Sequence, residues 1–329
     1  MLRFFRSYHN MVIVTILLIG IGSWIHVFDG SEDFHCSEYG AFMFRALNGC
    51  FVDIQGLYAW LGLILFFLAV FMMIYANARL HLIDKISYLP ALCYVLLVGG
   101  VPEIHLFNPE LIATILFVAG FMFLARSFES ERLSYKIFTA SAFISIATFF
   151  YQYMYVYMLV VWFVVALLRP GYWREWVFSI LGFALPLFFA FSWFFLVDDD
   201  YTRMGAFFDE ICTIQRMTPS WSITSIVFII SCILLFVITF VYTLQYISSK
   251  KVVFRNRYYV LAMIVVVTLG MIFIVPDTFP QVWYLLAFPM SFIMANYLNT
   301  IKSIRWGTIV LSLLFAGVIL VQAISLSIN

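Results

Sequence analysis

The sequence predicts an all-α, polytopic bundle of about eleven transmembrane helices with external amphipathic helices, and three observations predict it. Hydrophobic residues make up 65% of the 329 and charged residues only 11%, whereas soluble domains run about 45–50% apolar and about 25% charged. A chain so apolar cannot hide its side chains in one globule under a polar coat, so lipid must solvate much of its surface. Apolar runs of nearly bilayer-crossing length recur from end to end, and Lys and Arg fall on alternate connections between them. Residues 1–329 therefore read as a single integral membrane domain.

The first run, near 11–28, follows Arg3 and Arg6 as a signal peptide would. It continues through GIGSWIHVF without a small-x-small cleavage site, so it is predicted to stay as a span. Runs near 56–76, 87–101 and 110–125 come next; VPEIHLFNPE, Val101–Glu110, joins the last two, and its prolines predict a hairpin. Residues 137–168 form an unbroken apolar stretch of 32, which would suit one tilted helix or two short crossings. Lys136 and Arg169 flank it, and cytoplasmic loops collect Lys and Arg, so both ends belong on one side and the chain turns back near Tyr151, Gln152 and Tyr153.

Within LRPGYWREWVFSILGFALP, Leu168–Pro186, Pro170 and Gly171 break a helix. Trp173 and Trp176 belong at headgroup level, and Arg174 and Glu175 should face water or pair with each other. The remaining spans are predicted near 177–197, 222–245, 258–275, 281–298 and 306–324.

Placing the N-terminus inside and alternating sides sorts the charges. Arg3, Arg6, Arg79, Lys85, Arg126, Arg132, Lys136, Arg169, Arg174, Lys250, Lys251, Arg255, Arg257, Lys302 and Arg305 fall inside, which is all but Arg45, Arg203 and Arg216 of the 18 basic residues. Of the 17 acids only Asp84, Glu129, Glu131 and Glu175 join them. The bias predicts the orientation, with the C-terminus outside. Net charge is +1 and no basic face forms, so nucleic acid is not an expected partner.

Two external loops are longer than connection requires, 29–55 and 198–221. In the second, Met204, Phe207, Phe208, Ile211 and Ile214 recur at helical spacing opposite Asp209, Thr213 and Arg216, the pattern of a helix lying on the membrane. A weaker version in the first places Met43, Leu47, Cys50 and Phe51 on one face. The first loop also opens with FDGSEDFHCSEYG, Phe28–Gly40, which gathers Asp29, Glu32, Asp33, His35, Cys36 and Glu38. Carboxylates and an imidazole this close suit a general base or a divalent cation, but the spacing matches no tight metal signature and a solvated loop explains it as well.

Glu103 and His105 in the hairpin form a second candidate for acid–base chemistry. The catalytic candidates are thus Asp29, Glu32, Asp33, Glu103 and His105, with the cofactor and any metal unknown. Five histidines spread over both sides and the first span cannot converge on one iron, which argues against a histidine-rich oxygenase. Cys36 and Cys50 share a loop in which an oxidising compartment would permit a bridge, and Cys93 and Cys232 read as packing residues. Few polar residues lie deep within the spans, which weighs against a proton-coupled carrier.

The central third carries a resemblance. ANARLHLIDKISYLPALCYVLL from Ala76, FNPELIATILFVAGFMFLAR from Phe107, and LLRPGYWREWVFSILGFALPLFF resemble a family of polytopic inner-membrane proteins of Bacteroidota, over roughly residues 40–200. Its most specific elements are Arg169, Pro170, Trp173, Arg174, Glu175, Trp176, Gly182 and Pro186. Members often carry the label beta-carotene monooxygenase, which the histidine placement opposes, and the resemblance implies no activity.

The short paired spans and the acids after the first span are also similar in architecture to C-type-fold membrane glycosyltransferases. There an external carboxylate deprotonates or orients the acceptor, and Asp29, Glu32 and Asp33 occupy the corresponding place. The expectation is an inner-membrane protein of envelope biogenesis in contact with membrane lipids. It would act on a lipid-linked sugar, carry a lipid or small solute, or serve as the scaffold for a partner membrane protein.

Overall fold

The computed structural model describes residues 2–6, 9–29, 43, 57–83, 87–105, 107–129, 133–168, 171–198, 222–275, 279–301 and 303–328. Among the described residues all regular structure is helical. In chain order the helices are α1 (Leu2–Phe5), α2 (Asn10–Ser23), α3 (Ile25–Asp29), α4 (Leu57–Leu80), α5 (Leu89–Gly99), α6 (Pro109–Arg126), α7 (Leu133–Thr148), α8 (Met158–Leu168), α9 (Trp173–Asp198), α10 (Ile223–Ile247), α11 (Val252–Ile274), α12 (Phe279–Thr300) and α13 (Ile304–Ile328). Short 3-10 segments cover Pro102–Ile104, Ser127–Glu129 and Gln152–Tyr157. Most of the external loop residues, with Glu32, Asp33, Cys36, Cys50, Cys212 and the surface helices expected there, lie outside the described residues.

Among the described residues six helices are long and apolar enough to cross a membrane: α4, α6, α9, α10, α11 and α13. The sequence predicts about eleven spans, and the difference is mostly one of length, although α12, with 22 residues, is long enough and falls short through polar residues such as Asn296 and Asn299. An 11-residue helix such as α5 rises only about 17 Å, short of a ~30 Å hydrocarbon layer. Helices α2, α5, α7 and the Gln152–Leu168 run are apolar but short. The stretch 137–168 is two helices rather than one: α7 stops at Thr148, Tyr151 is extended, and a 3-10 segment leads into α8.

Helices α5 and α12 form the centre. Every residue of α5 is buried, as is every residue of α12 from 282 to 298. A helix apolar on all sides needs such an all-round environment. Small residues let its neighbours approach: the Phe228 ring of α10 lies where a Cβ on Gly100 would sit and 2.9 Å from the place of one on Gly317, wedging α10 between α5 and α13.

Helix α9 is the opposite case. Among its described side chains only Glu175, Ser179 and Gly182 are buried, and Gly182 lets its backbone close on the Phe138 carbonyl of α7. Trp162 donates from Nε1 to Ser179 Oγ at 3.2 Å, joining α8 to α9. Trp173, 70% exposed, takes the surface position expected of it, but Glu175 is buried at 4% exposure instead of facing water.

One end of the bundle is fastened by cations on helix C-termini, whose last carbonyls lack helical partners and carry the negative end of the dipole. Buried Arg257 of α11 donates to Leu80 O of α4 and Ala125 O of α6 and is ion-paired with Glu129 at 2.8 Å. Lys136 donates to Arg126 O at 2.8 Å, Tyr258 to Leu82 O at 2.7 Å, and Arg6 to Leu298 O and Ile301 O.

Candidate functional site at the opposite end of the bundle

At the other end, α5 stops inside the protein, so its last carbonyls cannot turn to water. Three side chains from three different elements supply donors. Trp283 Nε1 of α12 donates to Leu97 O at 2.9 Å. His105 Nε2, from the hairpin after α5, lies 3.0 Å from Val98 O, and Gln322 Nε2 of α13 donates to Gly99 O at 2.7 Å. The polar residues gathered here answer the buried C-terminus of α5.

The hairpin is fixed as firmly. Pro102–Ile104 forms a 3-10 turn, His105 N donates to Pro102 O at 2.9 Å, and Ile104 O accepts from Tyr284 OH and from Asn108 Nδ2. Glu103 points outward, and its carboxylate accepts from Ser222 N at 3.1 Å and from Ser225 Oγ at 2.7 Å. It thereby caps the start of α10, where a negative charge suits the free N–H groups and the helix dipole.

His105 is fully buried. Its ring stacks on Trp24 at 5.1 Å and lies 5.2 Å from the ring of His26. Burial, followed by the neighbouring His26, pushes the His105 pKa down to about 3 against the opposing carbonyls of Val98 and Ser23, so the imidazole is neutral at physiological pH. His26, 8% exposed, is surrounded by the carbonyls of Ser23 and Pro102, the Gln322 side chain and the charge of Glu103. Nδ1 of each histidine, and Nε1 of Trp24, is buried without a hydrogen-bond partner. Beyond Trp24 the rings of Phe66 and Tyr94 continue inward, and Tyr94 and the buried Glu110 come within electrostatic reach of Tyr284.

Comparison with known protein families, curated proteins and solved structures gives no match. The site therefore has to be read from its own geometry.

Of the five candidates from the sequence, the structure brings Glu103 and His105 to this end and puts the backbone of Asp29 at the end of α3, one helical turn after His26. Glu32 and Asp33 lie outside the described residues. Sequence reasoning missed His26, Trp24, Glu110, Tyr94, Tyr284 and Gln322. A signal existed for two of them: His26 stands three residues before Asp29, and Gln322 is a lone amide in the apolar VILVQAISL. Among the described residues no group of three or more His, Cys, Asp or Glu side chains converges on a point. Cys93 and Cys232 are buried free thiols within helices.

Proposed function

We propose that this chain is an integral protein of a bacterial inner membrane, of the Bacteroidota type it resembles, that handles lipid-linked sugars in building the envelope. The working end is the one where α3 leaves the bundle. One observation carries the reading: α3 sets the Asp29 position one turn beyond His26, which packs on His105, two residues from the outward carboxylate of Glu103. Acid–base groups thus gather at the ends of the lipid-length helices α4, α6, α10 and α13, the level at which a lipid headgroup lies.

A phosphate-linked sugar anchored in the bilayer reaches that level by lateral diffusion, with its acceptor arriving from water. The carrier alternative has less support, because α5 and α12 fill the middle of the bundle with side chains. The test is to replace Asp29, Glu32, Asp33 and Glu103 with Asn or Gln and to analyse envelope glycans and lipid-linked precursors by mass spectrometry. Normal expression with a missing glycan and an accumulated precursor is the expected result; unchanged glycans and precursors would remove the reading.

A further inference from the structure

We infer that the seam between α6 and α7, at the end of the bundle fastened by Arg257, binds an anionic membrane lipid, with Arg126 and Lys136 on its phosphate and Phe123 and Phe143 beneath them for an acyl chain.

Three cations meet on the last turn of α6. Lys136 Nζ donates to Arg126 O at 2.8 Å and Arg257 Nε to Ala125 O at 3.2 Å. Two positive charges therefore sit on adjacent carbonyls, and the guanidinium of Arg126 leaves the chain at the same point. Arg126, Glu129 and Arg257 all act on Lys136 through their charges. Glu129 is the one acid among them, and Arg257 takes its carboxylate at 2.8 Å. Arg126 and Lys136, each half-buried, have no carboxylate partner among the described residues. Glu131 and Arg132, outside the described residues, carry opposite charges and leave the count unchanged.

The charges do not balance. The C-termini of α4 and α6, which both receive Arg257, contribute about half a negative charge each. Together with Glu129 they leave about one positive charge unmatched, the amount that one phosphodiester neutralises. Like charges held this close repel unless an anion joins them. The fork of Arg126, which makes no hydrogen bond to the described residues, has the geometry that phosphate oxygens accept in pairs.

Depth and the surface beneath the cations select a lipid over a free phosphate. The 18 residues of α6 rise about 27 Å, close to the ~30 Å hydrocarbon layer, so Arg126 ends at the level of the lipid phosphates. Phe123 lies one turn inward from Arg126 and Phe143 two turns inward from Lys136, each on the same helix face as its cation. Their rings stack across the seam at 5.7 Å and 21°, and both are half-buried. A soluble phosphate would use only the cations. The site stands at the opposite end from Glu103 and His26 and does not rest on the proposed sugar chemistry.

The experiment uses the full chain, delipidated in detergent and titrated with phosphatidylglycerol or with phosphatidylcholine, with bound lipid per chain read by native mass spectrometry. Phosphatidylglycerol should saturate near one tightly held molecule, and phosphatidylcholine should bind more weakly. Arg126→Gln should weaken phosphatidylglycerol binding roughly fivefold, as expected for one cation at an anionic surface, while Arg126→Lys keeps most of it. Glu129→Gln removes the competing carboxylate and should tighten binding, which damage to the fold would not do. Lys136→Gln should weaken binding as Arg126→Gln does; if it fails to fold without its bond to Arg126 O, Arg126→Gln alone decides. Equal binding of the two lipids, or unchanged affinity in Arg126→Gln, would overturn the inference. So would displacement of the lipid by inorganic phosphate at equal concentration, which would assign the cations to a soluble anion.

Discussion

Arg257→Met is expected to loosen the bundle where α4, α6 and α11 meet. The guanidinium is buried, donates to Leu80 O and Ala125 O, and sits 2.8 Å from Glu129, whose side chain is 55% exposed. A hydrogen bond from a charged donor contributes about 1.5–3 kcal/mol net, so two carbonyls give about 3–6 kcal/mol. Removing a buried cation returns part of its desolvation penalty, and the half-exposed ion pair adds only about 0.5 kcal/mol. The net expectation is a loss of about 2–4 kcal/mol, or roughly 4–10 °C in the unfolding midpoint.

Cys93 and Cys232 are buried reporters for the assay. In a background with Cys36, Cys50 and Cys212 changed to Ser, a thiol-reactive fluorogenic dye follows their exposure on heating at one fixed scan rate, since unfolding from detergent is irreversible. Glu129→Gln should shift the midpoint by no more than about 2 °C. The reasoning fails if Arg257→Met stays within a degree of wild type, or if Glu129→Gln is as damaging, because either result would deny the helix-end carbonyls their assigned weight.

The same assay checks four further expectations. Asn296 of α12 is buried with neither amide atom paired, so Asn296→Leu should raise stability by about 1–2 kcal/mol, and a loss would mean the amide has a partner such as water. Gly182→Ala places a methyl group against the Phe138 carbonyl; it should cost about 1–3 kcal/mol, and an unchanged midpoint would contradict the close α7–α9 approach. Glu103→Ala strips the donors at Ser222 and Ser225 of their acceptor and should cost about 1–2 kcal/mol, whereas Glu103→Gln, which keeps an acceptor oxygen, should cost less. Gln322→Leu leaves Gly99 O buried without its donor and should cost about 1–3 kcal/mol, with a neutral outcome counting against the account of the α5 terminus.

Much of the fold was legible. Composition pointed to lipid, the break near Tyr151 followed from Lys136 and Arg169, and Pro102 and Pro109 marked the hairpin. The candidate site was half legible: Glu103 and His105 stood out as polar residues in a turn, but Glu103 turns out to cap α10 and His105 to cap α5 while stacking on Trp24. His26 was hidden because its importance comes from a ring at position 105 that only the crossing of α2 and α5 brings near.

By itself the sequence determined that the chain is helical and strongly apolar and that it breaks near Tyr151 and in the Pro102–Pro109 hairpin, because composition and helix breakers act locally. Only the tertiary structure decided which helices lie inside. Helices α5 and α9 are both strongly apolar, yet α5 is buried on every side and α9 on little more than one edge. Lipid tails and protein interiors are alike to a leucine, so apolar periodicity cannot tell them apart. What separates the two helices is the fit of particular pairs: Phe228 between Gly100 and Gly317, Gly182 against Phe138, and donors from distant segments meeting the carbonyls at the end of α5.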